Sequence, residues 1–443
     1  MSQVAVDASA GRDFWLSAFA AREGRRSGDE PWWLTGLRRS ALGRFAALGF
    51  PTTRIEDWKY TNLAPLARLV FPDRDGVDSR RPGVFSSPLA RLEGRLVTTV
   101  GGRPQDPIPQ IPGVELRSLK AAWRCFPDLV RARLARAADF ERHALVALNT
   151  AFFEDGLWLR VPGGVVVEQP IFIIHHTPAA GQPVAAHPRT LVLAGPNSQV
   201  SLIEAWTGPD GETYFANAVT EIFAEEGAVL DYTRLQMEGN EAYHFAALHV
   251  WQGRAATVTT HSIALGAGLA RSEVRAVLAG EGASCELNGL YVVRGRQHVD
   301  NYTTIDHARP RATSHELYKG ILDEQAEAVF HGRIIVRPEA QKTDAIQRNR
   351  NLLLSDDAVA NSKPQLEIYA DDVRCTHGAT AGQVDADAVF YLRSRGLGRE
   401  QARRLLTLAF AGEMTARIKH PALRALLEQE LLRRLNGAEG EMQ

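Results

Sequence analysis

Cysteine is scarce in this 443-residue chain: Cys125, Cys285 and Cys375 stand far apart, with no C-x-x-C pair. An odd number of dispersed thiols argues against a disulfide framework and against a self-contained zinc or iron–sulfur ligand set. The expected compartment is the reducing cytoplasm. Excess charge is missing too. Lys and Arg number 51 against 52 Asp and Glu, a formal net charge of −1, so the clustered basic surface that nucleic acid requires is not expected. No apolar run approaches the ~18–20 residues of a membrane span. The opening MSQVAVDASAGRDFW lacks a charged segment followed by an apolar one, so neither a secretory signal nor a membrane association is expected.

Several catalytic signatures are also absent. Without G-x-x-x-x-G-K-[ST], the chain is not itself a P-loop nucleotide hydrolase. G-x-S-x-G, H-E-x-x-H and the kinase motifs do not occur. Gly266-Ala267-Gly268 lacks a third glycine and a following helix, and reads as a turn between strands. His175, His176, His261, His298, His307, His315 and His331 are spaced without a ligand pattern, so surface or hydrogen-bonded histidines are expected.

What is present falls into three textures. Residues 1–72 read as a helical region, with Trp15, Leu16 and Phe19 and then Leu34, Leu37, Ala41, Leu42 and Phe45 at helical spacing, ending at Gly49-Phe50-Pro51. Thr53 and Glu56 then have the spacing of a capping box, and Trp58 and Tyr60 read as anchors onto the neighbouring domain. A Pro/Gly-rich stretch follows, broken by the strand candidate RLVTTVGG. Residues 95–384 read as a β core with a helical segment around 118–150, where Cys125 is expected to pack.

Within that core, Val200, Leu230, Val258 and Cys285 recur in steps of roughly 27 to 30 residues, the period of stacked repeats. The longer interval to Val329 leaves room for one more coil around NYTTIDHARPRATSHELYKG. No helices alternate with the strands, which argues against βαβ units. The fold class expected is mainly β, a β-solenoid (β-helix) with helical regions at both ends. Cys285 is in phase with core positions and reads as structural. Residues 385–443 return to helix, opened by Asp385 and Asp387, with Leu406, Phe410, Met414 and Ile418 forming an apolar ridge.

Cys375 and His377 carry the chemistry. On an extended segment, positions i and i+2 leave one face together, and a thiolate beside an imidazole suits iron, zinc, copper or sulfur. The plainer alternative is a small buried hydrophobe beside a hydrogen-bonded histidine. No local residues supply further ligands, so a metal or cluster would need them from elsewhere, including another chain.

Three segments resemble the SufB/SufD family of SUF iron–sulfur cluster assembly scaffolds: GFPTTRIEDWKYTNL, the long QKTDAIQRNRNLLLSDDAVANSKPQLEIYADDVRCTHGATAGQVDADAVFYLRSRGL, and the helical ending. With the strand-rich texture between them, the resemblance covers essentially the whole chain. It implies a right-handed parallel β-helix core and a non-catalytic scaffold role. Its implied partners are a SufB-like paralogue and a SufC-like ATPase that hydrolyses ATP.

SufB-like chains carry a sulfur-accepting cysteine in the segment corresponding to LLLSDDAVANSKPQLE, and this chain has none there. They also read Glu-His-Glu-Ala-Thr where this chain has Thr376-His377-Gly378-Ala379-Thr380. The resemblance therefore implies that His377, with Cys375, completes a nascent-cluster or iron site at the junction with a SufB-like partner. It implies no stably bound cofactor in the isolated chain, only a transient cluster or iron in the complex. It also assigns the Leu406–Ile418 region to ATPase docking. The exposed solenoid edge allows a homodimer in isolation. A carbohydrate-active, lyase-like β-helix is the alternative, but no acid/base or calcium set supports it.

Overall fold

The computed structural model describes residues 3–24, 30–72, 88–178 and 181–436. Its organising feature is parallel pairing in register from rung to rung. Val200 pairs with Leu230, Leu230 with Val258, Val258 with Cys285, Cys285 with Ser314, Ser314 with Ala345, and Ala345 with Cys375. The repeating positions of the sequence are thus one column of a solenoid. The extra coil exists, as strands His298–His307 and Thr313–Leu322. Val329 is not its continuation, because that residue belongs to the facing sheet, paired with Asp300.

Two ten-stranded sheets face each other. Strands alternate their side chains between faces, so one set from each sheet meets in a continuous apolar seam that includes Leu159, Leu230, Leu248, Leu287 and Ala345. The stacking extends through the corners. Asn197, Gly227, Ala255, Gly282, Arg311 and Lys342 all have positive φ, between 53° and 70°. Each sends its N–H to a carbonyl of the next rung's corner, Glu226, Arg254, Glu281, Pro310, Gln341 and Asp372 in turn, at 2.7–3.1 Å.

The seam is not wholly apolar. Tyr291 leans over Gly320 to donate to Asn351 at 2.5 Å, and Tyr318 leans over Gly289. A Cβ on Gly320 would sit 2.0 Å from the Tyr291 ring, so glycine there makes room for the tyrosine. Glu204, fully buried, accepts from His175 and Thr190 at 2.7 Å and Thr220 at 2.9 Å, and from Tyr232. Burial alone would raise its pKa, but those bonds, the one from His175 first, hold it below the ordinary carboxylate value.

Helices cover the outer faces. Helices Gln3–Glu23, Trp32–Leu48 and Ala144–Phe152 bring Trp15, Phe45 and Phe152 against Phe215, Val219 and Phe245 of the second sheet. Helices Arg399–Thr415 and Pro421–Asn436, with the turn between them, bring Met414, Ile418 and Leu427 against Ile203, Leu235 and Ile321 of the first.

Three local expectations change. Thr53 and Glu56 form no capping box; only a 3₁₀ turn, Glu56–Trp58, occurs there without a side-chain cap, and Glu56 pairs with Lys363 instead. Trp58 is buried, with the Arg271 guanidinium 3.8 Å from its ring centre, while Tyr60 is exposed. Cys125 is exposed rather than packed, at the end of helix Leu119–Cys125.

Glu316 yields a prediction. It lies in the seam, bonded to Gln347 Nε2 at 2.7 Å, and burial raises its pKa from 4.5 to about 7. The folded chain then holds this proton more tightly than the unfolded chain. The stability it contributes is full below pH 4.5 and is lost as pH rises through 7. Urea unfolding of Glu316→Gln against the parent should therefore favour the variant by about 2 kcal/mol more at pH 8 than at pH 5. An unchanged difference would refute the assigned proton.

Candidate functional site

The two ends of the solenoid differ. At one end, Arg103–Pro104 pairs antiparallel with Arg95–Val100 on the first sheet, and Glu115–Ser118 pairs antiparallel with Leu157–Val161 on the second. At the other, the sheets finish on Arg374–Gly382 and Val359–Ile368, each paired on one side only among the described residues. These strands present unpaired backbone donors and acceptors. Pro364, in the middle of Val359–Ile368, is tolerated because an edge strand does not need every N–H.

Cys375 and His377 lie on the first of these end strands. Both belong to inward-facing columns. The Cys375 column runs back through Ala345, Ser314 and Cys285, and the His377 column through Gln347, Glu316 and Leu287. Their predecessors Ala345 and Gln347 are fully buried, whereas His377 is exposed and Cys375 half-buried against the core. The exposure thus arises because no further rung covers the columns. Gln347, bonded to Glu316 through its nitrogen, keeps its buried Oε1 unpartnered beneath His377.

The two side chains have different chemistry. Burial, and then the Asp344 carboxylate, raises the Cys375 pKa, so the thiol form is favoured. An imidazole needs no such ionisation to donate a lone pair to a metal. Among the described residues, no group of three or more His, Cys, Asp or Glu side chains is placed to hold a metal ion. The remaining histidines are mostly consumed internally: His175 bonds Glu204, and His307 bonds Ser314 at 2.8 Å. His331, buried, bonds Gln365 at 2.7 Å, in line with the expectation of surface or hydrogen-bonded histidines, whereas His261 is buried with its Nε2 unpartnered.

An apolar rim surrounds the open end, and sequence reasoning did not single it out. Val359, Ile368 and Tyr369 are exposed there. In the helix that follows, Ala386–Ser394, no residue is buried, and Phe390 and Tyr391 are 71% and 57% exposed. Pro364 was the available sequence signal. The Leu406–Ile418 ridge is the reverse case: Met414 and Ile418 are spent on the solenoid, and Phe410 is half-buried beneath Lys319, whose ammonium lies 4.2 Å from its ring centre. Leu406 is half-buried, and Leu405 is the exposed leucine of that helix.

The fold and the terminal pair define a class: a helix-flanked parallel β-solenoid with one uncapped end, carrying two ligand types for soft metals but no complete set. Residues 175–410 match the family described as SUF system FeS cluster assembly, SufBD core domain, and residues 16–173 match the SufBD protein N-terminal region. The chain belongs to the SufBD family, and its role is in SUF iron–sulfur cluster assembly. It is 33% identical to an iron–sulfur cluster assembly SufBD family protein of Synechocystis over 91% of each chain. It is 29% identical to the iron–sulfur cluster assembly protein SufD of Escherichia coli K12 over 96% of each. Against SufD of Bacillus subtilis 168, identity is 27% over 86% of this chain and 89% of the relative.

The thiols should react in order of exposure, with burial further slowing Cys375 and Cys285 by raising their pKa. With iodoacetamide near neutral pH, alkylation should run Cys125 first, Cys375 slower and Cys285 slowest, since Cys285 is buried and raised well above the ordinary thiol range. Peptide-resolved mass spectrometry measures the three rates. Reaction of Cys375 ahead of Cys125 would show it to be an activated thiolate.

Proposed function

We propose that this chain is a non-hydrolytic scaffold subunit that docks through its open solenoid end onto a SufB-like paralogue, with His377 completing a site for a nascent cluster or iron. The observation that carries this reading is the uncapped last rung, where two inward-facing columns terminate in exposed His377 and half-buried Cys375. Free strand edges favour partners that add strands, and the rim of Ile368, Tyr369, Phe390 and Tyr391 offers apolar area beside them. His377 is the principal ligand, and Cys375 an auxiliary that holds sulfur or iron only once ionised. The cluster is cargo, held transiently in the complex, and the isolated chain keeps no cofactor.

ATP hydrolysis belongs to a SufC-like partner on the C-terminal helices. Because Met414 and Ile418 face the solenoid, that partner uses the outward side, where Leu405 and Leu432 are exposed. No helix among the described residues is long and apolar enough to cross a membrane, and three free thiols agree with a reducing cytoplasm. The carbohydrate-active alternative has no support from the family match, and Glu204 and Glu316 are sealed inside the seam.

Two experiments test the reading. In a complex co-expressed with SufB-like and SufC-like partners, His377→Ala should lower the cluster formed, read by absorption and Mössbauer spectroscopy, by at least about tenfold, since losing even an outer-shell partner of a metal ligand costs about 10–100-fold. Undiminished assembly in an intact complex would remove the role of His377. Separately, light scattering on the isolated chain should give twice the 48.7 kDa mass as its free edges pair. A monomer at all concentrations would count against pairing through the end rung.

A further inference from the structure

We propose that a cleft on the outer face of the second sheet, distinct from the inward-facing columns of Cys375 and His377, binds a small organic monoanion with an apolar body, such as an aromatic carboxylate or sulfonate. The cleft holds about 470 Å³, within the range of small-molecule sites. It lies where helix Trp32–Leu48 ends, the 3₁₀ turn Glu56–Trp58 crosses and helix Ala144–Phe152 begins. Leu48, Ile55, Leu145 and Phe245 give it apolar walls.

Its floor is built around an unsatisfied group. His249 is 3% exposed, and neither of its ring nitrogens has a hydrogen-bond partner. Burial first, then the nearby His143 and Arg275, holds it well below its ordinary pKa, so the ring is neutral and presents one donor and one acceptor. In the rung ladder His249 lies between Glu221 and Arg275. Glu221 cannot serve it, because its oxygens accept from Arg189 and from the amides of Ala135, Ala137 and Ala138. A buried polar group left in this state is costly, and a ligand heteroatom would relieve it.

Charge sets the anion. Around the cleft, Arg337 is bound by both oxygens of Asp306 at 2.8 and 2.7 Å, and Arg333 by both of Glu367 at 2.6 and 2.9 Å. Arg142 has Asp139 at 3.6 Å, and His143 has Glu273 at 3.5 Å. Asp57 stands at the mouth, 4.0 Å from His331 and half-exposed. Arg275, half-buried, has no ion-pair partner among the described residues. Arg275 is thus the one guanidinium of the lining without a carboxylate partner among the described residues, and beside apolar walls and a neutral imidazole it suits a single carboxylate or sulfonate on an apolar ring system.

The test titrates the full chain with anilinonaphthalene sulfonate, read by fluorescence, followed by a crystal structure with the dye bound. One saturable site is expected, with the sulfonate on Arg275. Arg275→Glu should weaken binding by at least about tenfold, the scale of losing a charge-assisted contact. His249→Phe, which fills the cleft, should abolish it. Arg254→Glu, at an exposed rung corner, should leave it unchanged. If Arg275→Glu does not fold by circular dichroism, Arg275→Gln replaces it. Equal binding by the folded Arg275 variant, several equivalent sites, or dye seated on the open end would overturn the proposal.

Discussion

Everything in this molecule depends on rungs stacking in register. Each strand satisfies its backbone groups with the strands of the rungs before and after it, each inward side chain rests on its column neighbours, and each corner N–H reaches the next corner's carbonyl. A rung therefore stabilises its neighbours only while the stack continues, as in other quasi-one-dimensional folds. The ends are where that arrangement fails. Antiparallel strands close the first end, and the last end carries Cys375 and His377 on strands with a free edge.

The polar residues of the seam follow from the same constraint. An isolated buried carboxylate would be strongly disfavoured, yet Glu204 is surrounded by donors from both sheets: His175 and Tyr232 on adjacent rungs of its own, Thr190 and Thr220 across the seam. Asn349 and Asn351 bond each other at 2.8 Å and share the Tyr291 hydroxyl, which reaches them over Gly320. A slip of one residue would turn these groups outward and expose apolar partners in their place. The buried polar contacts thus penalise any other register, even where their net contribution to stability is small.

How legible this was in the sequence depended on the residue. Val200, Leu230, Val258 and Cys285 were visible as a column because all four are apolar. The same column becomes Ser314 and then Ala345, and hydrophobicity can no longer trace it. The corners were hidden because Ala255, Arg311 and Lys342 adopt positive φ where glycine would be the usual signal. Thr53 and Glu56 had the local spacing of a cap, but Glu56 is claimed by Lys363, remote in sequence and near only in the fold. The 406–418 ridge was read as apolar, and periodicity alone could not say that the solenoid itself would cover most of it. Cys375 and His377 were legible as a pair sharing a face; that this face is an inner column left open required the topology.

On the proposed reading, the open end also explains how two residues can suffice. Stacked strands lie about 4.8 Å apart. Side chains in one column on two such neighbouring strands would therefore lie close enough to hold one metal ion between them, were a partner's strand to continue the stack. Ligands on the outer faces would lack this convergence, because helices occupy those faces over much of the sheets. A histidine suits such a junction better than a cysteine here, since burial and Asp344 keep Cys375 protonated until a cation displaces the proton. On that reading, formation of the site is tied to docking: the free chain presents one exposed imidazole, and the ligand set would close only when the columns continue into a second solenoid.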